Sequence, residues 1–264
     1  MLTLTVSEIK YCACAAKTGL AVAGLRPSAF SYSAFQASIF TPDEEVATNK
    51  LNRELIPSWL DRFDGQITVL PQDLPLPRDV PKIILQDHAG TLRCEISSER
   101  INIHRRRTTG SQLDIDAHSF FGEASHLFAD YKNYAGCRIG RLAAVVRRFA
   151  QHDSPGKYLA AHFAQERWLN APLNRPENFE LHAHKTYAFQ EFHINSWMRC
   201  KTGFVRRTPE EQEPAILVEQ DINTLKEETG TADFSLDEST RFFGNVLTEF
   251  GEILILYFPE EGSP

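Results

Sequence analysis

The residues best suited to chemistry lie in the stretch Glu180-Leu181-His182-Ala183-His184. In an extended segment, alternation puts Glu180, His182 and His184 on one face. Phe179, Leu181, Tyr187 and Phe189 take the other face. A later run, Glu219-Gln220-Asp221, offers two carboxylates at the same spacing. Imidazoles and carboxylates on neighbouring strands make a ligand set for a divalent cation and leave positions open for water. In that arrangement His182, His184 and Glu219 are ligands, with Asp221 or Glu180 as fourth ligand or general base, and the chemistry is that of a metal-dependent hydrolase. The competing expectation makes the same residues the solvated side of an antiparallel sheet, which alternates in the same way.

Arginines form a second constellation. Arg105-Arg106-Arg107, Arg147-Arg148 and Arg206-Arg207 each close an expected strand. Three such ends converging on one rim would grip a phosphate or carboxylate bidentately, or bind nucleic acid. Ends that stay apart are loop starts paired with nearby acids. Lys201-Thr202-Gly203 and Ser7-x-x-Lys10 match two elements of penicillin-binding enzymes, but the S-D-N element is missing, and Lys17-Thr18-Gly19 repeats the tripeptide by chance. The chain has no G-x-S-x-G elbow, phosphate-binding loop, dinucleotide fingerprint or H-E-x-x-H. Its chemistry therefore has no local signature, and a site assembled from distant residues is judged by geometry.

These side chains need strands to carry them. The spacing predicts strand structure within residues 10–40 and a helix from the Thr41-Pro42-Asp43-Glu44 start to about Arg62. A proline-rich loop follows over residues 66–81, holding Pro71, Pro75, Pro77 and Pro81. A meander follows at Lys82–Gln86, Leu92–Ile96 and Ile101–His104, then a helix from Asp116 to Tyr131. The second half repeats the order. A strand runs from Arg138 to Phe149, a helix opens at Ser154-Pro155, and a meander covers Phe179–Phe189, Phe192–Phe204 and Ala215–Asn223. A capping box at Ser235–Glu238 opens one long Phe-rich helix.

The expected fold is α+β: antiparallel meanders with helices on one face, as a duplicated strand, helix, three strands, helix unit. The halves are 1–135 and 136–264, packed as one globular unit. The saddle of the TATA-box-binding protein is one duplicated architecture of this kind. The likeness is of fold alone, and the net charge of −7 argues against a dedicated nucleic-acid binder. The five cysteines include no C-x-x-C, which fits reduced thiols and a cytoplasmic chain. Cys12-Ala13-Cys14 reads as two small buried residues on one strand face. Residues 1–24 lack the basic start and unbroken apolar core of a signal peptide, and no segment has the length and apolarity of a membrane span.

Several stretches together resemble a sporadically distributed family of uncharacterised bacterial proteins. They are Trp59-Leu-Asp-Arg-Phe-Asp-Gly65, Cys137-Arg-Ile-Gly-Arg141, Leu173-Asn-Arg-Pro-Glu-Asn-Phe-Glu-Leu-His-Ala-His184 and Glu219-Gln-Asp-Ile-Asn223. The resemblance spans most of the chain. It implies an accessory or defence-related role and supplies no catalytic residues. The expectation is a non-enzymatic interaction protein with a protein partner or a homo-oligomeric state and no cofactor. The contact surface is then the Phe-rich last helix or the arginine rim.

Overall fold

The computed structural model describes residues 24–42, 48–71, 74–108, 113, 116–169, 176–208 and 210–260. Its centre is an antiparallel sheet. The strands are β1 (Ser31–Phe40), β2 (Ile67–Val69), β3 (Ile83–Gln86), β4 (Leu92–Ile96), β5 (Arg100–Arg106), β6 (Arg141–Gln151), β7 (Glu180–Phe189), β8 (Phe192–Arg206) and β9 (Gln212–Thr224). Their order across the nine-stranded sheet is β2-β3-β4-β5-β1-β6-β9-β8-β7. The helices are α1 (Thr48–Glu54), α2 (Ala117–Ala135), α3 (Pro155–Phe163), α4 (Glu166–Leu169) and α5 (Leu236–Tyr257). This is the α+β arrangement read from the sequence.

Apart from the extra edge strand β2, the strand order is mirrored about the β1–β6 seam. Each half runs strand, helix, meander, helix, and the two meanders fan outward from the seam in opposite directions. The seam itself runs from Ser31 opposite Phe149 to Phe40 opposite Arg141, with one register shift between Tyr32 and Ala34.

All the large helices cover one face. Alternation along β1 sends Phe35, Ala37 and Ile39 beneath them, and each is buried. The Phe35 ring stacks on Phe120 of α2 at 5.3 Å. Between the helices, Phe243 of α5 lies 6.1 Å from Phe121 and 5.4 Å from Phe128. Both long helices end where local chemistry dictates. Asp116 accepts the Ser119 N–H at the start of α2, and Gly136, with φ of 67°, closes it in the left-handed region that disfavours other residues. Ser235 and Glu238 form the capping box that opens α5.

The structure corrects several element expectations. The helix expected from Thr41 to Arg62 is broken. α1 stops at Glu54, and Ile56–Trp59 is a separate 3-10 turn with Pro57 in its first turn. Proline lacks the N–H that would continue the α1 ladder. The loop expected over 66–81 contains the short strand β2. The strand expected from Arg138 starts at Arg141, opposite Phe40, where its partner β1 ends. The phenylalanines of the Phe-rich helix belong to the core: Phe242, Phe243 and Phe250 are fully buried, and of its large apolar residues only Ile255 and Leu256 stand exposed. Cys12, Cys14, Ser7 and Lys10 lie outside the described residues, as do Asp43 and Glu44 of the expected helix start.

Phe243→Ala is expected to cost about 3–5 kcal/mol, because it opens a cavity where α2 and α5 meet. Phe204→Ala, at a side chain 64% exposed, is expected to stay within about 0.5 kcal/mol. Urea denaturation of the two variants checks the contrast.

Candidate interaction surface

Among the described residues no helix covers the opposite face of the sheet, and alternation decides what it displays. Register places the rows across it. One row runs His182 (β7), Arg199 (β8), Glu219 (β9) and Arg147 (β6). The next runs His184, Trp197, Asp221 and Val145, and continues to Gln36 of β1 and His104 of β5. A third runs Thr186, Asn195, Asn223, Ala143, Ser38 and Asn102.

Hydrogen bonds knit these rows. Glu219 accepts from Arg199 at 2.6 Å and from Arg147 at 2.7 Å. Burial raises the Glu219 pKa, but the two guanidinium groups outweigh it and leave the carboxyl below its ordinary range. Asp221 accepts the Asn223 amide at 2.9 Å, and burial holds its pKa above the ordinary value. His184 lies flat on Trp197, with ring centroids 4.3 Å apart, and its Nε2 meets Asn195 Oδ1 at 3.2 Å. Glu180 sits 2.7 Å from His182 Nε2, and that bond lowers the Glu180 pKa.

The five residues of the candidate metal set therefore share one face, as alternation requires, but not one point. β8 lies between the histidine strand and the carboxylate strand, and Arg199 stands opposite both His182 and Glu219. A permanent cation occupies the position from which a metal would bridge them. Among the described residues no group of three or more His, Cys, Asp or Glu side chains is placed to hold a metal ion.

The arginine clusters separate by parity. Arg147 faces the open side. Arg148, its neighbour, turns beneath the helices, is 4% exposed, and bonds Gln220 Oε1 and the Tyr32 hydroxyl. Arg105 is half-buried against Thr91 and lies near Asp87 and Glu123, while Arg106 donates to the Gly90 carbonyl. Arg207 pairs with Glu213. One convergence does occur. The long β8–β9 hairpin reaches back over the end of β5, so that Arg107 donates to the Arg206 carbonyl at 3.1 Å and covers the Phe149 ring at 4.5 Å. Ser33, Phe149, Val205 and Leu217 line a shallow cavity of about 260 Å³ beside them.

Three cation–aromatic pairs recur on this face and its rim: Arg107 on Phe149, Arg141 on Phe40 and Arg199 on Trp197. Trp197 and Arg199 escaped the sequence reading, although Asn195-x-Trp197-x-Arg199-x-Lys201 alternates cleanly. The two-residue connection Gln190-Glu191 was the available signal. It makes β8, and not β9, the neighbour of β7. On the first half of the sheet, Glu95 bonds Arg93 at 2.7 Å and lies 3.6 Å from His104. His104 first, and then Arg93, holds its pKa at about 2.

No protein-family model matches the chain, and no curated protein is detectably similar to it in sequence.

A carboxylate with a depressed folded-state pKa stabilises the fold above its unfolded pKa, and that contribution fades as pH falls through the folded value. Glu95→Gln is therefore expected to cost about 1–3 kcal/mol at pH 7 and much less near pH 2. Urea midpoints of both proteins across that range test the sign.

Proposed function

We propose that the protein acts by binding another macromolecule, as a non-enzymatic interaction or accessory component, and that the uncovered face of the sheet is its contact surface. The observation that carries this reading is the state of the polar groups on that face. Glu180, His182, His184, Glu219 and Asp221 are each engaged by a neighbour, so the face is a pre-ordered array of aromatic rings, guanidinium groups and amides. Side chains already fixed in place lose little entropy on binding. Aromatic and arginine side chains are the usual anchors of such contacts. The hydrolase alternative requires Arg199 to leave the gap between His182 and Glu219.

A second reading has its own support. Arg93, Arg100, Arg106, Arg141, Arg147, Arg199 and Lys201 face the open side against Glu95, Glu180, Glu213, Glu219 and Asp221. The face thus carries a small basic excess in a chain of net charge −7. With the Arg107–Arg206 junction at its rim, it suits an anionic partner, nucleic acid included.

Native mass spectrometry of the protein purified at low salt from its own host distinguishes these readings. The expected result is a second polypeptide above the 29.9 kDa chain, lost from the Trp197→Ala/Arg199→Ala variant while its melting temperature stays within a few degrees. Bound nucleic acid released with a steep salt dependence favours the second reading. A chain carrying a stoichiometric metal and no partner overturns both.

A further inference from the structure

The two edges of the sheet are built differently. β2, at one edge, has three residues and runs into the stretch holding Pro71, Pro75, Pro77 and Pro81. Short strands and proline are the usual guards of an exposed edge. β7, at the other edge, has ten residues, contains neither proline nor glycine, and pairs with β8 from Glu180 to Phe189 without a register shift. Among the described residues no strand pairs with its outer side.

Backbone parity fixes what that edge offers. Thr202 N–H donates to the Phe179 carbonyl, so the odd-numbered residues of β7 bond β8. The N–H and C=O groups of Glu180, His182, His184, Thr186 and Ala188 point outward. The helix side of the edge carries Phe179, Leu181, Tyr187 and Phe189, each only half-buried, and between them the exposed Lys185, whose ammonium lies over the Tyr187 ring. α5 runs alongside. Arg241 pairs with Glu191 at 2.7 Å, Asn245 donates to Gln190 at 3.1 Å, and Glu249 accepts from the Tyr187 hydroxyl. Leu256, on the same stripe of that helix and 62% exposed, continues the flank beyond them.

We propose that β7 pairs with β7 of a second copy of this chain, antiparallel about a two-fold axis at His184, to form one continuous sheet. The occupant is argued from self-complementarity. In this register His184 faces His184, His182 faces Thr186 and Glu180 faces Ala188, so outward-pointing residues meet one another along the whole strand and exchange both backbone bonds. In the intervening pairs Ala183 meets Lys185 next to the axis, and beyond it Leu181 meets Tyr187 and Phe179 meets Phe189. The four half-buried apolar residues thus cover their own counterparts, in the close non-hydrogen-bonded positions where cross-strand side-chain contact is strongest. The axis is normal to the sheet, so the helices of both copies lie on one side and the two open faces join. The inference is independent of what binds that face: a monomer that captures a partner there refutes the dimer and leaves the proposed function standing.

Sedimentation equilibrium and amide hydrogen exchange of the full chain provide the test. A dimer is expected, with the amides of His182, His184 and Thr186 exchanging as slowly as those of Leu181, Ala183 and Lys185. His184→Pro removes an outward N–H without touching the β7–β8 ladder. It is expected to weaken dimerisation by about tenfold or more and to restore fast exchange at the alternate positions. Should that variant misfold, Leu256→Glu probes the same interface from the helix and is expected to weaken the dimer likewise. A monomer at all concentrations with fast exchange at the even-numbered amides overturns the proposal. So does a dimer indifferent to both substitutions, or protection that appears only with a foreign polypeptide.

Discussion

The contact between α2 and α5 holds a single helical layer against a sheet of nine strands. Phe120, Phe121 and Phe128 come from one helix, Phe242, Phe243 and Phe250 from the other, and all are buried at 1% exposure or less. Tilted ring packing joins the two helices at Phe128 and Phe243, and further ring contacts reach the sheet at Phe35 and Phe192. The helices suffice for one face only. The other is consequently left to side chains that tolerate water, and hydrogen-bonded rows take the place of a second hydrophobic layer. The open face thus follows from how the core is closed.

Beneath the helices the seam carries a buried charge. Arg148 is 4% exposed, and burial lowers its pKa. The oxygens that meet it, Gln220 Oε1 and the Tyr32 hydroxyl, are neutral, and its guanidinium covers the Tyr32 ring at 4.7 Å. A guanidinium is the cation that burial disfavours least, because it is weakly hydrated and spreads its charge over a plane. Gln220 passes the contact on, donating from Nε2 to the Phe250 carbonyl of α5 at 2.8 Å. One polar thread therefore joins β1, β6, β9 and α5. A thread of this kind favours a single register of helix on sheet, which a purely apolar interface does not specify.

The sequence was most readable where a repeat and a terminator coincide. Phe120 to Tyr131 repeats at helical spacing between the Asp116 cap and Gly136, and Leu236 to Tyr257 does so behind the Ser235–Glu238 box. The meander strands alternate between turns, but alternation leaves their order across the sheet open. Pairing between strands is what alternation does not contain. Glu219 and Asp221 were correctly placed on the face of His182 and His184, yet the distance between them depended on which strand lay between. Arg147 and Arg148 show the same gap at smaller scale. Adjacent in sequence and alike in chemistry, they point to opposite faces, one to solvent and one to the core, because strand geometry overrides composition. The β1–β6 register also shifts between Tyr32 and Ala34, a displacement for which the sequence offers no marker.

The two halves share an order of elements but not a distribution of charge. On the open face the β3–β4–β5 side and the seam bring Arg93, Arg100, Arg106, Arg141 and Arg147 against Glu95. The β7–β8–β9 side sets Arg199 and Lys201 against Glu180, Glu213, Glu219 and Asp221. A symmetric fold thus presents an asymmetric field, and Glu219 lies on the line between, held by one arginine from the seam and one from β8. Arg199 is central to that asymmetry. It closes the gap that a metal would need, neutralises Glu219, and caps Trp197 at 5.2 Å. The same side chain therefore separates His182 from Glu219 and ties β8 to β6 through the carboxylate between them.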